Sequence, residues 1–423
     1  MQHEQNWIAL AEILGARSPL FKPLLTAFTT PEAIFAASEE ELRAALPDAG
    51  IGVLKSLLGK RTAETARGIA LWCHQNGVRI LPFDHKEYPA VLRELDEPPV
   101  LLYCRGRLPD LGTRACVGVV GPRRTDAYGE QVTYKISFEL AAAGAVIVSG
   151  LADGVDGIAT AAALLAGGTP VAVLGCGIDV TYPRHHARLL AECIERGAVL
   201  TEYAPGTPPN GYNFPIRNRL ISALSDALVV TEANAESGSL ITARYALLQG
   251  KTLFAVPGDI DRPRSVGTNG LIRSGALLAL SGEDVLAHFR FLYPQLGASR
   301  VPLETLQYTE ATAEKLRAHG IPSVLDDAAQ DKIEKSHTVS AHSDKKAPAA
   351  PSVEPPQSTV SAEALDMLDP RQRELYEMLP DGVFSLDHLT SQGVPSGEAA
   401  ATLTVLELYG ILCSCPGGTY RKQ

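Results

Sequence analysis

The 423-residue chain has no run of about 18 apolar residues free of glycine and charge, so no membrane span is expected. Its first residues, Met1 to Asn6, are polar and carry no signal-peptide pattern, and the expected location is cytoplasmic. Cysteine is scarce: 7 residues, Cys73, Cys104, Cys116, Cys176, Cys193, Cys413 and Cys415, none with zinc-ligand spacing. Cys413-x-Cys415 is a close pair, but no second pair or histidine stands beside it. All are expected to be reduced packing residues, and no metal or cofactor is expected. A basic excess is lacking as well. With 38 Lys and Arg against 48 Asp and Glu the formal net charge is −10. That argues against a protein that coats nucleic acid non-specifically, yet leaves room for a local basic groove, because the field at a site depends on nearby charges. What is present is ordinary for a globular protein, 45% hydrophobic and 20% charged residues, over a length that holds several domains.

Taken in order, residues 1–78 read as a small helical domain. Ser38 with Glu41 three residues on forms a capping box. Ile80 to Gly106 reads as a connecting region broken by Pro82, Pro89, Pro98 and Pro99, ending in a short strand at Val100–Tyr103. From Cys116 to Phe291 strand and helix alternate. Strands are expected at Val117–Val120, Val146–Ser149, Val171–Leu174, Val199–Glu202, Ala227–Thr231 and Leu253–Val256. Helices are expected at Tyr128–Ala143, Asp156–Ala166, His185–Arg196, Arg217–Ala223 and Ser239–Gln249. The strands are nearly continuous apolar runs, as a parallel sheet covered on both faces requires. Residues 79–295 therefore form the main domain. Residues 326–362, rich in Ala, Pro, Ser and charge, read as a disordered linker. Residues 363–423 return to a globular pattern: three helices, then a hairpin around Gly417-Gly418, the arrangement of a winged helix.

The chain is organised around Cys116 to Asp126. Its apolar run breaks at Gly121-Pro122 into Arg123, Arg124 and Thr125, and a helix opens near Tyr128. Strand, turn and helix N-terminus make an anion site, because free N–H groups and the helix dipole converge there. The two guanidinium groups add forked donors suited to phosphate. Other strand ends lead into glycine-bearing or basic loops. Gly150 and Gly177 let backbone approach a ligand. Arg184, Arg217, Asn218 and Arg219 bring charge and hydrogen bonds, and Ser237, Gly238 and Ser239 stand at a helix start. Tyr182 and Phe214 offer rings on which a base stacks for roughly 1–3 kcal/mol. Each also has a plain reading: the rings as core, Asp156 and Asp179 as caps, the arginines as solvated. Several arginines gathered at one sheet edge are nonetheless costly without an anionic partner. Pattern alone gives an anion-binding, doubly wound α/β domain.

The motifs together resemble the DNA-processing protein family DprA/Smf. Gly121 to Gly129 matches the family's G-S-R-x-x-T-x-Y-G, Ser149 to Asp156 its S-G-x-A-x-G-I-D, and Val173 to Pro183 its V-L-G-x-G-x-D-x-x-Y-P. Phe214 to Ile221 matches F-P-x-R-N-R-I-I, Glu232 to Ala243 matches E-x-x-x-x-S-G-S-L-I-T-A, and Ala255 to Gly258 and Asn269 to Ala276 complete the set. The resemblance implies an extended Rossmann-like doubly wound parallel sheet. It also implies an N-terminal helical domain similar to SAM or helix-hairpin-helix modules, and a C-terminal winged helix. It implies binding and protection of incoming single-stranded DNA in natural transformation, loading of the recombinase RecA, no enzymatic activity, and a homodimer formed around Ile272 and Leu278. By the same resemblance Arg123 clamps a DNA phosphate, Arg217, Asn218 and Arg219 line the pocket or hold its loops, and Ser237 to Ser239 complete a backbone cradle. Three positions depart from the family pattern: Pro122 for serine, Thr160 for histidine and His186 for asparagine.

The competing reading is a nucleotide-processing hydrolase of the phosphoribohydrolase kind, with Glu232, Glu236 and Asp156 as acid and base. The chain lacks the P-G-G-x-G-T-x-x-E loop of those enzymes. A dehydrogenase lacks support, since Gly175-x-Gly177 has no third glycine. A regulator working through the C-terminal module would have few basic residues to use, mainly Arg371, Arg373, Arg421 and Lys422.

Overall fold

A computed structural model describes residues 2–47, 49–59, 62–297 and 308–323. In the C-terminal part it describes 370–380, 382–392, 394, 402–403, 406, 411–415 and 419–422. The chain divides into two compact units, 1–340 and 341–423, each considered by itself.

The first unit begins with six helices: α1 Gln2–Leu14, α2 Phe21–Phe28, α3 Pro31–Ala36, α4 Glu39–Ala45, α5 Ile51–Leu58 and α6 Thr62–Gln75. The expected capping box opens α4, with the Glu41 amide donating to Ser38 Oγ and the Ser38 amide donating to the Glu41 carboxylate at 2.8 Å. The apolar sides of these helices meet at Trp7, Leu10, Phe21 and Leu24. The same core continues into Tyr103 and Leu174 of the sheet region and into Ile158 and Cys193 of helices that cover it, so the N-terminal helices bury their faces against the main domain as well as each other.

Nine strands form one sheet: β1 Arg79–Pro82, β2 Leu101–Gly106, β3 Cys116–Val120, β4 Val146–Ser149, β5 Thr169–Val173, β6 Ala198–Thr201, β7 Ala227–Val230, β8 Thr252–Ala255 and β9 Leu277–Leu278. Their order is β1-β2-β6-β5-β4-β3-β7-β8-β9. From β6 to β9 every pairing is parallel. The stretch expected as a connector adds two antiparallel strands at one edge, β1 on β2 and β2 on β6; β2 runs where a short strand was expected, and β1 was not expected. Its prolines sit at the end of β1 or between the strands, where a missing N–H costs no ladder bond.

Between and after the strands run α7 Ala90–Arg93, α8 Ala127–Ala142, α9 Val155–Leu165, α10 Ala187–Arg196, α11 Asn213–Ala223, α12 Gly238–Leu248, α13 Val266–Arg273, α14 Gly282–Phe289 and α15 Glu310–Ala318. Alternate residues of each central strand enter opposite layers. Val117, Ile147 and Val229 meet α8, α9 and α14. Val120, Val148 and Leu228 meet α11 and α12. This is why the strands read as unbroken apolar runs. The winding runs from β3 outward to β6, then returns to β7 beside β3. In doubly wound sheets the crevice at such a reversal, outside the carboxyl ends, is where ligands bind.

In the second unit β10 Val383–Ser385 and β11 Leu412–Cys415 flank β12 Thr419–Lys422, all antiparallel. Helices Pro370–Glu377 and Leu386–Ser391 accompany them, around a core that includes Leu375, Phe384, Leu389 and Leu412. The Gly417-Gly418 turn, most of the third helix expected in the C-terminal part, at 396–409, and the linker expected over 326–362 lie outside the described residues.

Candidate nucleic-acid interface

A cleft of about 400 Å³ opens at the reversal between β3 and β7. Four chain segments build it. The β3 end supplies Gly121, Pro122 and Arg123. The loop after β4 supplies Ala152 and Asp153, and the first turn of α9 supplies Asp156. The start of α11 supplies Gly211, Phe214, Arg217 and Asn218. The start of α12 supplies Glu236, Ser237, Gly238 and Ser239. Helices α9, α11 and α12 thus all begin at the cleft. Their first N–H groups have no partner inside the helix and carry the positive end of the dipole, so the cleft favours an anion. At α12 the capping position is Ser237, whose hydroxyl lies 2.8 Å from that of Ser239 rather than closing on the helix backbone.

Helix α11 begins four residues earlier than the sequence suggests. Pro215 falls in the first helical turn, where its missing N–H is tolerated. Phe214, Arg217, Asn218 and Ile221 therefore share one face, at spacings of three, four and seven, and all line the cleft. Arg219 lies roughly 140° around the helix from Phe214. It is 3% exposed, donates to Glu202 Oε2 at 2.6 Å, and borders a different pocket with Arg17 and Lys251.

The arginines of the cleft differ. Arg217 is 3% exposed and acts as an internal strut. Its Nη1 donates to the carbonyls of Gly150, at 2.8 Å, and Val173, and Nη2 lies 3.9 Å from Asp156 Oδ2. Gly150 must be glycine here, because a Cβ would collide with the guanidinium. Burial raises the Asp156 pKa and lowers that of Arg217, while the pair oppose these shifts in one another. Arg123 is exposed at the lip, its guanidinium 4.6 Å over the Phe214 ring. Phe214 itself is 8% exposed, and Tyr182 packs beside it at 5.5 Å between ring centres without lining the cleft. The ring is a platform for Arg123 rather than an open face for a base.

A second charged cluster braces the lip from behind. Asp126 caps α8 by accepting from the Gly129 amide at 3.0 Å and also pairs with Arg262. Arg262 reaches Glu232 Oε1 at 2.5 Å and lies over the Tyr128 ring at 4.6 Å. Burial pushes the Asp126 carboxyl up, but Arg262 and the Gly129 amide more than offset this and hold it below the usual range. Glu232, fully buried, is pushed up to about 7 by burial and by Asp126. A side chain at Gly129 would collide with the Glu232 carboxylate, which explains the glycine inside α8.

Of the residues expected from sequence, Gly121, Arg123, Phe214, Arg217, Asn218, Ser237, Gly238 and Ser239 meet in the cleft. Arg124 is exposed just beyond it, its carbonyl taken by Arg264, and Thr125 is buried behind the lip. Gly150 and Gly177 support from within, Gly177 through its amide to the Thr207 carbonyl at 2.9 Å. Arg184 is exposed in the turn Arg184–His186, outside the cleft lining. Ile272 is half-buried on α13, and Leu278 is exposed on the edge strand β9. Sequence reasoning missed Asp153 and Arg262. Asp153 lay inside a matched motif but carried no assigned role. Arg262 gave no local signal, since its partner Asp126 stands 136 residues away.

Comparison with known proteins agrees with this geometry. The family model described as DNA recombination-mediator protein A matches residues 79–290, half of the chain. Protein Smf of Synechocystis is 30% identical over 421 residues, 99% of this chain and 98% of its own length. Protein Smf of Escherichia coli is 42% identical over 221 residues, 52% of this chain and 59% of that protein. The X-ray structure of DNA processing protein A from Streptococcus pneumoniae superposes with a TM-score of 0.58 at 33% identity, covering 67% of this chain and 97% of that one. With the switch-point cleft, the motif set and a full-length relative in agreement, the chain belongs to the DNA recombination-mediator protein A family, the family of Smf and DprA.

Proposed function

We propose that the cleft holds the phosphates of single-stranded DNA, and that the protein binds and protects incoming strands during natural transformation and passes them to RecA. The observation that carries the reading is the convergence of three helix starts and an exposed arginine, Arg123, on one crevice at the strand-order reversal. Such contacts position a strand without reading its sequence. The family is one of recombination mediators, not of enzymes. Of the three acids that a hydrolase would need, two are engaged internally, Asp156 facing Arg217 and Glu232 facing Arg262, which leaves Glu236 of the cleft lining without the second acid such chemistry pairs it with.

A homodimer through β9 completes the proposal. Leu277, Leu278 and Leu280 are 42%, 45% and 62% exposed along the sheet edge, and an apolar edge strand is a ready pairing surface. Residues 363–423 serve as an accessory winged helix.

The first test is fluorescence anisotropy of labelled oligo-dT, with duplex as control, at two salt concentrations. Preference for the single strand and affinity that falls with salt are expected. Equal affinity for duplex would overturn the reading and redirect attention to nucleoside monophosphates. For the dimer, Leu278→Glu is expected to halve the mass measured by light scattering, and an unchanged mass would remove β9 from the interface.

A further inference from the structure

Beside the cleft stands a cluster that the DNA reading leaves unused. Asp153 lines the cleft on the loop after β4, and His185 and His186 stand against it from the turn after β5. One donor atom from each lies within 4.8 Å of the others. His185 Nε2 is 2.7 Å from Asp153 Oδ1, and His186 Nε2 is 4.0 Å from the same oxygen. The two rings meet edge to face at 4.8 Å.

His186 supplies the decisive detail. Its side chain is wholly buried, and Nδ1 lies 3.0 Å from the Leu151 carbonyl oxygen. A carbonyl only accepts, so Nδ1 carries the ring proton and Nε2 presents a bare lone pair. Among the described residues that buried Nε2 has no hydrogen-bond partner. A buried acceptor left unmet is costly and uncommon. A backbone carbonyl fixing one ring nitrogen while the other points at a carboxylate and a second histidine is the arrangement of metal-ligating histidines.

We propose that Asp153, His185 and His186 form a binding site for one divalent transition-metal ion, with zinc as the probe. Two imidazoles and a carboxylate suit such an ion better than calcium or magnesium, which take oxygen ligands. Bond lengths of about 2.0–2.2 Å place tetrahedral ligands about 3.3–3.6 Å apart. The 4.0 Å separation already approaches this. The shorter one opens by rotation of His185, whose side chain is 49% exposed. Three protein ligands leave one coordination position for water or an anionic oxygen. The ion would also neutralise Asp153, an acid in the wall of an anion cleft.

The test is isothermal titration of zinc chloride into the metal-stripped full chain. About one equivalent is expected to bind, with affinity falling at least about tenfold in His185→Ala and in Asp153→Ala. Thermal melts run without zinc confirm that both variants fold, and zinc is expected to raise the melting temperature of the unmodified chain but not of the variants. Absence of saturable binding below about 0.1 mM zinc would overturn the site. Unchanged binding in both variants would do the same, by moving the metal to others of the chain's 10 histidines. The titration contains no DNA, so its failure is distinct from failure of the DNA-binding reading.

Discussion

The floor and the lip of the cleft are built from the same residue types, used to opposite ends. At the floor Arg217 is 3% exposed and spends its donors on Gly150, Val173 and Asp156. At the lip Arg123 is exposed, resting on Phe214 with its charge turned to the crevice. The floor holds loops in place, and the lip meets the ligand. An arginine's motif position does not decide between these roles. Its burial and the nearest carboxylate do, because a desolvated cation requires an internal partner while a hydrated one is free to take an external anion.

The comparison breaks most directly at the floor. Arg217→Ala leaves Asp156 buried without its cation and is expected to destabilise the fold by about 3–5 kcal/mol in urea unfolding. A loss under about 1 kcal/mol would mean the floor is not structural. The wall behind the lip comes next. Glu232 has a folded pKa of about 7 against 4.5 for the free side chain, so the folded state holds its proton more tightly. The stability this contributes is complete below about pH 4.5 and is lost as pH rises through about 7. Glu232→Gln, neutral throughout, is expected to gain on the unmodified protein between about pH 5 and pH 8, by up to about 3 kcal/mol. Parallel unfolding curves at both pH values would refute this.

At the lip, Arg123→Glu is expected to weaken oligo-dT binding roughly 100-fold, since a charged hydrogen bond becomes a repulsion. Its melting temperature should stay unchanged, and a large fall would place Arg123 with the floor. The smallest effect lies far from the cleft. Ser38→Ala removes one half of the α4 capping box and is expected to cost about 1 kcal/mol in stability with DNA affinity unaltered.

Much of the sheet was legible because burial on both faces writes itself into local sequence. The strand expected at Val146–Ser149 is found there, and the one expected at Val117–Val120 extends by one residue. The antiparallel edge was only half legible: a strand was expected at Val100–Tyr103, where β2 runs, but none where β1 runs. β1 and β2 are short and separated by prolines, and they become strands only by pairing with each other and with β6. The start of α11 was placed four residues late: Pro215 stands in the first helical turn, where a proline is harmless, and local pattern does not mark that boundary. Arg217 and Arg219, two residues apart on that helix, diverge by about 200°, but which of them faces the cleft depended on how the helix packs. The meeting of Asp153 and His185 was not legible either, because local spacing does not join residues 32 apart.

The sequence by itself determined the alternation of strand and helix, the parallel sheet and the set of loops at its carboxyl edge, because each depends on hydrophobic period and glycine placement within a few residues. Only the tertiary structure decided which arginine faces the crevice, that Arg262 braces Asp126 and Glu232, and that His186 is left with a bare nitrogen beside Asp153. Those outcomes depend on which distant groups share a buried space, and desolvation makes such pairings decisive while leaving no trace in the local pattern.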